Sequence, residues 1–371
     1  MTERLRTRRG SSHLPEADAA LADLAAQIVQ PDMRLALVFV SPRYDREALG
    51  RAIGAHFTCP VLACTTAGEI GADVGYASGG IVGASLASAE LDVRTVFLPS
   101  LAEFVRAGGE LPADVTAPPA GAARRFALLL LDGLSMLEEP VSALVNRQLG
   151  GVPVIGGAAG DGLDFRHTLV YHDGRFHEGA GILACVDTTL PFSSFMLQHF
   201  APTDTKLVIT EADVATRRVL EIDGEPAADR YARVVGLDTS RLSPQVFAAH
   251  PVMLRLGGRY YVRSIQRVNG DGSLSFFCAI DTGLVLTLAR PTDLVTDLEA
   301  HLKAATSSLD NLSLILGFDC VLRRLELEQA GRLSSANAVL APYPFLGFST
   351  YGEQYNGLHM NHTMTGLALG G

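Results

Sequence analysis

Pro60-Val61-Leu62-Ala63-Cys64-Thr65-Thr66-Ala67-Gly68-Glu69 decides the fold. An apolar run opened by a proline and closed by hydroxyls, a glycine and a carboxylate reads as a short buried strand ending in a polar turn. Upstream, residues 35–40 (Leu-Ala-Leu-Val-Phe-Val) form a second such run, and residues 45–57 between the two carry a helical pattern. Downstream, residues 80–86 supply a third strand. Two parallel strands need a crossover of about this length, so the order reads as strand–helix–strand with a returning strand.

The same order is written twice more. Residues 126–132, 138–149, 153–161 and 179–185 repeat it, and the matched pairs Leu35/Leu128 and Val61/Val154 are both 93 residues apart. Residues 312–317, 320–339, 344–353 and 363–369 repeat it again. Internal repetition of a unit that cannot bury itself alone implies that the copies pack together. The expected fold class is α/β, with repeated strand–helix–strand units forming mixed sheets covered by helices.

Between the second and third copies the texture changes. Residues 208–222 read as strands ending at Asp223-Gly224, residues 225–235 as a helix, and residues 293–305 as another. Residues 252–289 read as antiparallel hairpins, turning at Gly257-Gly258 and at Asn269-Gly270-Asp271-Gly272. Ala201-Pro202-Thr203-Asp204 is a turn-rich break. The expected division is a disordered basic terminus over 1–15, an N-terminal domain over 16–205 and a C-terminal domain over 206–371.

Composition excludes several classes of function. Apolar residues make up 48% and charged residues 19%, which suits large cores and opposes disorder. The net charge of −10 removes the basic face that phosphate neutralisation requires, so no nucleic-acid partner is expected. Arg8-Arg9 lacks the apolar segment of an export signal, and no stretch is long and apolar enough to span a bilayer. Five scattered cysteines with no CxxC fit reduced thiols in a cytoplasm, with no membrane partner.

The polar strand ends are the first candidate site. Thr65, Thr66, Gly68 and Glu69 recur as Ser349, Thr350, Tyr351, Gly352 and Glu353. Ligands of open α/β sheets dock beyond the strand ends, where a glycine admits close backbone approach and hydroxyls and carboxylates supply hydrogen bonds. The competing reading is a glycine turn with an internally satisfied glutamate. Copy two ends instead in Gly156-Gly157-Ala158-Ala159-Gly160-Asp161-Gly162, without hydroxyls, which points the pocket at copies one and three. That stretch has no Lys-Ser/Thr and no following helix, so it reads as close backbone packing or a ligand lip rather than a phosphate cradle.

Other constellations are weaker. His359 and His362 lie three apart in an extended pattern and do not share a face, so a shared metal is not expected; one imidazole is of the kind that ligates heme iron, and the alternative is two structural histidines. His167, His172 and His177 flank the turn Asp173-Gly174, which reads as a surface hairpin. Cys64 at a strand end is a candidate nucleophile for a hydrolase or transferase, against the plainer reading of a buried strand cysteine.

Residues 61–70 (Val-Leu-Ala-Cys-Thr-Thr-Ala-Gly-Glu-Ile) resemble the signature of the FIST N-terminal region. Residues 221–227 are similar to the opening of the FIST C-terminal region, and residues 347–363, Gly-Phe-Ser-Thr-Tyr-Gly-Glu-Gln-Tyr-Asn-Gly-Leu-His-Met-Asn-His-Thr, to its end. The resemblance implies two FIST halves and a sensory protein rather than an enzyme, with Asn361 joining the strand-end residues at the ligand. The Gly-Glu-Gln-Tyr-Asn-Gly form resembles the NosP-like, nitric-oxide-sensing branch. That branch implies non-covalent heme b with His359 or His362 as its ligand, and a sensor histidine kinase or cyclic-di-GMP turnover protein as partner. A homodimer is also admitted. The alternative ligand is an amino acid or another small polar metabolite, suited to the hydroxyls and the two glutamates.

Overall fold

The computed structural model describes residues 4–71, 73–121 and 123–371. Each copy of the repeat is built as its sequence indicates. The first has a leading strand Met33–Val40, a helix Arg46–His56, an inner strand Val61–Thr65 and a return strand Ile81–Ala87. The second has Arg124–Leu131, Glu138–Leu149, Val154–Ala158 and Gly181–Thr188 in the same roles. In the third, Leu312–Cys320, Phe345–Thr350 and Thr363–Gly370 are the strands. Its helical pattern over 320–339 is two helices, Val321–Gln329 and Leu333–Leu340, because Gly331 between them takes a left-handed φ of 64°. In every copy the leading strand runs parallel to the inner strand and antiparallel to the return strand.

Each sheet is completed by a hairpin from another copy. The hairpin Glu69–Gly71/Gly75–Ala77 of copy one joins the sheet of copy three. Val170–His172/Arg175–His177 of copy two joins the sheet of copy one. Glu353–Tyr355/Leu358–Met360 of copy three joins the sheet of copy two. The three copies are therefore linked in a cycle, and each covers the open edge of its neighbour's inner strand. The opposite edges are closed by Arg6–Ser12, Leu91–Leu98 and Phe192–Gln198.

The strand Arg6–Ser12 corrects the expectation of a disordered terminus over 1–15. It pairs along its whole length with Ile81–Ala87. Its arginines stay at the surface by reaching outward: Arg8 donates to the Val29 carbonyl at 2.8 Å and Arg6 to that of Pro31 at 3.1 Å. Arg6 and Arg8 thus lie on the solvated face of an edge strand, while Arg9 points the other way and donates to the Phe345 carbonyl at 3.4 Å.

The alternation of the leading strands divides the core. Leu35, Leu37 and Phe39, with Leu128 and Leu130, and with Leu314, Leu316 and Phe318, meet in one central cluster shared by all three copies. The intervening residues face helices: Ala36 and Val38 pack on Leu21, Leu24 and Ile53, while Leu129 and Leu131 pack on Val141 and Val145. Both faces of each leading strand are buried, which explains the continuous apolar runs.

Two compact units divide the chain, and neither follows the linear split at 205. All three copies belong to the first, formed by Met1–Leu197, Leu298–His359 and Met364–Gly371. The second comprises Gln198–Asp297 with Met360–Thr363. It holds an eight-stranded antiparallel sheet whose hairpins turn at Gly257-Gly258 and at Asn269–Gly272, as the turn signals predict.

The close packing of copy two is testable. A Cβ on Gly156 would sit 1.8 Å from the Leu129 carbonyl oxygen, whereas one on Gly270 meets nothing within 4 Å. Gly156→Ala is expected to lower the free energy of unfolding by more than about 3 kcal/mol, and Gly270→Ala to stay within about 0.5 kcal/mol. Urea titration measures both.

Candidate functional site

Where the inner strands end, their backbones run out of partners in their own sheets and turn to the next copy. Ala67 N–H donates to the Ser349 carbonyl at 2.8 Å, Tyr351 N–H to that of Ala158 at 3.2 Å, and Gly160 N–H to that of Thr65 at 3.0 Å. These three bonds occupy equivalent places in the three copies and close a ring. A second set answers it: Ser349 N–H to Gly68 O, Ala158 N–H to Gly352 O, and Thr65 N–H to Leu169 O. Gly68 and Gly352 are matched here by Leu169 rather than by Asp161. Copy two thus carries residues 161–168 as an insertion between its strand end and its hairpin.

Copies one and three close their ends internally. The Thr66 hydroxyl donates to Glu69 Oε1 at 2.6 Å and Gly80 N–H to Glu69 Oε2 at 3.1 Å, while the Thr350 hydroxyl donates to Glu353. Both glutamates and both threonines are fully buried. Burial pushes the Glu69 carboxyl above its usual range, against Thr66, Gly80 N–H and Arg324, which lower it. Arg324 Nη1 donates to the Ala77 carbonyl at 2.7 Å and lies where a Cβ on Gly68 would come, at 1.5 Å. Of the sequence candidates, Thr66, Gly68, Glu69, Thr350 and Glu353 thus have their hydrogen-bonding or packing capacity turned inward. Ser349 is fully buried beside the Asp319–Arg323 ion pair (2.7 Å), which the Tyr76 hydroxyl joins at 2.7 Å.

The insertion opens what the other two ends close. Asp161 organises it by accepting the amides of Phe165, Arg166 and His167 at 2.9, 2.7 and 2.8 Å, and the hydroxyl of Tyr351. The Tyr351 ring stacks on Phe165 at 4.5 Å. Burial raises the Asp161 carboxyl, but the Tyr351 hydroxyl and the three amides outweigh it and hold the group below its usual 3.8. At the far end, Asp132 accepts from Leu134 N–H, Thr168 and Gly179 N–H.

Between this loop and the strand ends of copy one lies a cleft of about 330 Å³. Val40, Leu49, Leu169 and Phe176 form its apolar floor, and Ser41, Thr65, Asp164, Arg166 and His167 its polar rim. The Thr65 hydroxyl accepts Leu169 N–H at 3.0 Å, which leaves its own proton to donate. Arg166 and Asp164 are exposed and make no ion pair among the described residues. A small concave site with an apolar floor and a few convergent charges is built to bind, at the strand ends where α/β ligands dock.

Thr65 is the one sequence candidate that lines this cleft. Asp161 comes from the Gly156–Gly162 stretch, read as packing or a lip, and His167 from the histidine hairpin, whereas Ser41, Leu49, Asp164 and Arg166 belong to no motif the sequence singled out. The readable signal was length, since copy two has extra residues between its strand end and its hairpin. The hairpin itself is as expected, turning at Asp173-Gly174, with His172 stacked on Phe97 at 4.1 Å.

The heme-ligand candidates are embedded elsewhere. His359 is 2% exposed, with Nδ1 3.2 Å from Gln354 Nε2, and a Cβ on Gly352 would lie 2.5 Å from its Nε2. Its two nitrogens thus face a side chain and a backbone. His362, also buried, adopts a left-handed φ of 54° and meets the Phe200 ring edge-on at 5.3 Å. Asn361 is buried beside it in sequence. Neither imidazole lines the clefts described here. Cys64 is fully buried and its thiol is pushed well above 9 by burial, the reverse of what an activated nucleophile needs.

A cleft of this make suits the binding of a small ligand. The family model of the FIST N domain matches residues 34–225 and that of the FIST C domain residues 227–356, so the chain belongs to the FIST family. FIST domains are sensory signal-transduction domains that bind small ligands. No curated protein matches the chain. Among solved structures it is similar to that titled "Crystal structure of cyanuic acid hydrolase from A. caulinodans", at 12% identity over 51% of this chain and 72% of that one. The TM-score between the two is 0.27.

Tyr351→Phe keeps the ring stack and removes the hydroxyl that holds Asp161. It is expected to cost about 1–2 kcal/mol and to speed amide exchange selectively at Phe165, Arg166 and His167, as urea titration and hydrogen-exchange mass spectrometry would show. Because the folded carboxyl of Asp161 titrates below its usual 3.8, its contribution is complete above that pH and is lost as pH falls through the lower folded value. Protection of those amides should therefore persist through mildly acid pH and fail only below it.

Proposed function

We propose that the protein is a sensor for a small polar metabolite, an amino acid or a compound of similar size and charge, bound in the cleft beneath residues 161–168. One observation carries this reading. The strand ends of copies one and three are sealed by their own threonine–glutamate pairs, whereas copy two interrupts the repeat with a loop that presents Asp164, Arg166 and His167 to a cleft. A protein gains nothing in stability from leaving an arginine and an aspartate exposed over an apolar floor. A ligand with complementary charges would use both.

The loop also offers a route for the signal. Its fastening passes through the Tyr351–Asp161 bond to copy three, so a ligand that favours one loop arrangement biases that contact. The output would pass to a partner, and the family resemblance favours a sensor histidine kinase or a cyclic-di-GMP enzyme.

The heme and nitric oxide reading is the competitor, and one pair of measurements separates the two. A thermal-shift screen of amino acids and small carboxylates is expected to yield a compound that stabilises the fold, by about 2.7 kcal/mol at a hundred times its dissociation constant. Arg166→Ala and Asp164→Asn, both at exposed positions, should weaken that effect at least tenfold in affinity. Hemin titration is expected to give no stoichiometric Soret band. A band that forms one-to-one, moves with nitric oxide and disappears in His359→Ala or His362→Ala would replace the metabolite reading with the heme one.

A further inference from the structure

The cleft beneath residues 161–168 does not end at its own rim. It continues through Arg46, Leu169 and Phe176 into a second, wider cleft of about 710 Å³ between the helix Arg46–His56 of copy one and the hairpin of copy two. The helix supplies Arg46 and Arg51, and the hairpin supplies Arg175 and His177. Two helix glycines hold the walls together. A Cβ on Gly50 would stand 2.5 Å from the Gly174 carbonyl oxygen, and one on Gly54 would lie 3.5 Å from the Tyr171 hydroxyl. That hydroxyl in turn accepts Gly174 N–H at 3.0 Å, which fixes the turn preceding Arg175.

Three arginines gathered here run against the chain's net charge of −10. Two carboxylates line the same cleft, Glu47 and Glu178, one fewer than the arginines. Glu178 is held by His167 at 2.8 Å and forms a long ion pair with Arg46 at 3.9 Å, so Arg51 and Arg175 are the cations left open. Arg51 and Arg175 make no ion pair among the described residues.

The repeat supplies an internal control. The same meeting of one copy's helix with the next copy's hairpin occurs where the helix Leu333–Leu340 of copy three faces the hairpin of copy one. That cleft, of about 270 Å³, is lined by Asp73, Asn337, Leu340 and Phe345 among others and by no arginine, and Asn337 caps it by accepting Tyr76 N–H at 2.9 Å. The arginine that copy three does bring to this seam, Arg324, is turned inward onto the Ala77 carbonyl at 2.7 Å, so the architecture does not itself leave guanidinium groups open here.

We infer that Arg46, Arg51 and Arg175 form a subsite for the anionic end of an elongated ligand, a carboxylate or a phosphate, whose polar head occupies the first cleft. The inference rests on the metabolite-sensor reading and narrows its ligand class. Guanidinium forks match the paired oxygens of both anions, and several forks converging from two elements give reach as well as charge. Screening at this open site keeps each contact modest, so the anion alone binds weakly and the whole ligand tightly.

The test uses the full chain labelled with 15N-arginine, titrated with inorganic phosphate, with succinate and with glycerol as a neutral control. The Nε–Hε signals of Arg51 and Arg175 are expected to shift saturably in the millimolar range with an anion and not with glycerol. The anion that saturates first identifies the chemistry as phosphate or carboxylate. Arg175→Gln should abolish the response at Arg51 and lower the affinity of any compound found by thermal shift at least tenfold. Absence of a saturable shift at both arginines would overturn the subsite, as would equal shifts at the exposed Arg34. Failure of the metabolite reading looks different: Arg51 and Arg175 respond to anions, yet Arg166→Ala changes no thermal shift.

Discussion

Three backbone hydrogen bonds, Ala67 to Ser349, Tyr351 to Ala158 and Gly160 to Thr65, hold the arrangement on which the rest of the first unit depends. Each inner strand ends in the protein interior, where an unpaired amide costs about 1–3 kcal/mol. Its own sheet offers no further partner, so the amide is satisfied by the neighbouring copy. Three copies satisfying one another in rotation admit one closed solution. The net energy of the ring is small, about 1 kcal/mol per bond. Its consequence is geometric, because it fixes which polar ends face inward and where an insertion must emerge.

The exchanged hairpins follow from the same constraint. An inner strand with an open edge in a buried core would leave a row of unpaired groups, and the hairpin of the next copy covers it. The central cluster then packs around side chains from all three copies. Phe39 meets Phe348 at 4.6 Å, and Phe318 meets Phe348 at 5.6 Å. Copy two has Gly157 at the place of Phe348, and a Cβ there would lie 3.0 Å from both Phe318 and Phe348. The glycine-rich strand of copy two is thus the complement of copy three's aromatics, and not a cradle for a ligand.

The family's sensory role and the broken symmetry point the same way. A ring closed identically three times would be a stable scaffold with no distinguishable site. Copies one and three approach that state, with Glu69 and Glu353 spent on Thr66 and Thr350. Copy two departs from it by residues 161–168, and the charged cleft lies against that departure. Two arms of the molecule, the loop and the arginine-bearing helix, face one continuous opening, while the corresponding cleft between copies three and one is smaller and lined by no arginine.

By itself, the sequence determined the repeat, the elements within each copy, the antiparallel insertion between copies two and three, and the family. These rest on local patterns: apolar runs, helical periodicity and turn residues act over a few positions, and repetition made them reinforce one another. Which polar groups turn inward and which stay open at a cleft was decided only by the tertiary structure. A threonine three residues before a glutamate looks the same whether the two bond to each other or to a guest, so Glu69 and Glu353 read as ligand groups and proved to be internal. The basic run at Arg6–Arg9 read as part of a disordered terminus, because its partner strand lies more than seventy residues away. The cleft joins residues 40–49 to residues 161–176, a juxtaposition that comes from the exchange of hairpins between copies and from no motif. Spacing along a chain records what each copy is, and only packing records which copy it leans on.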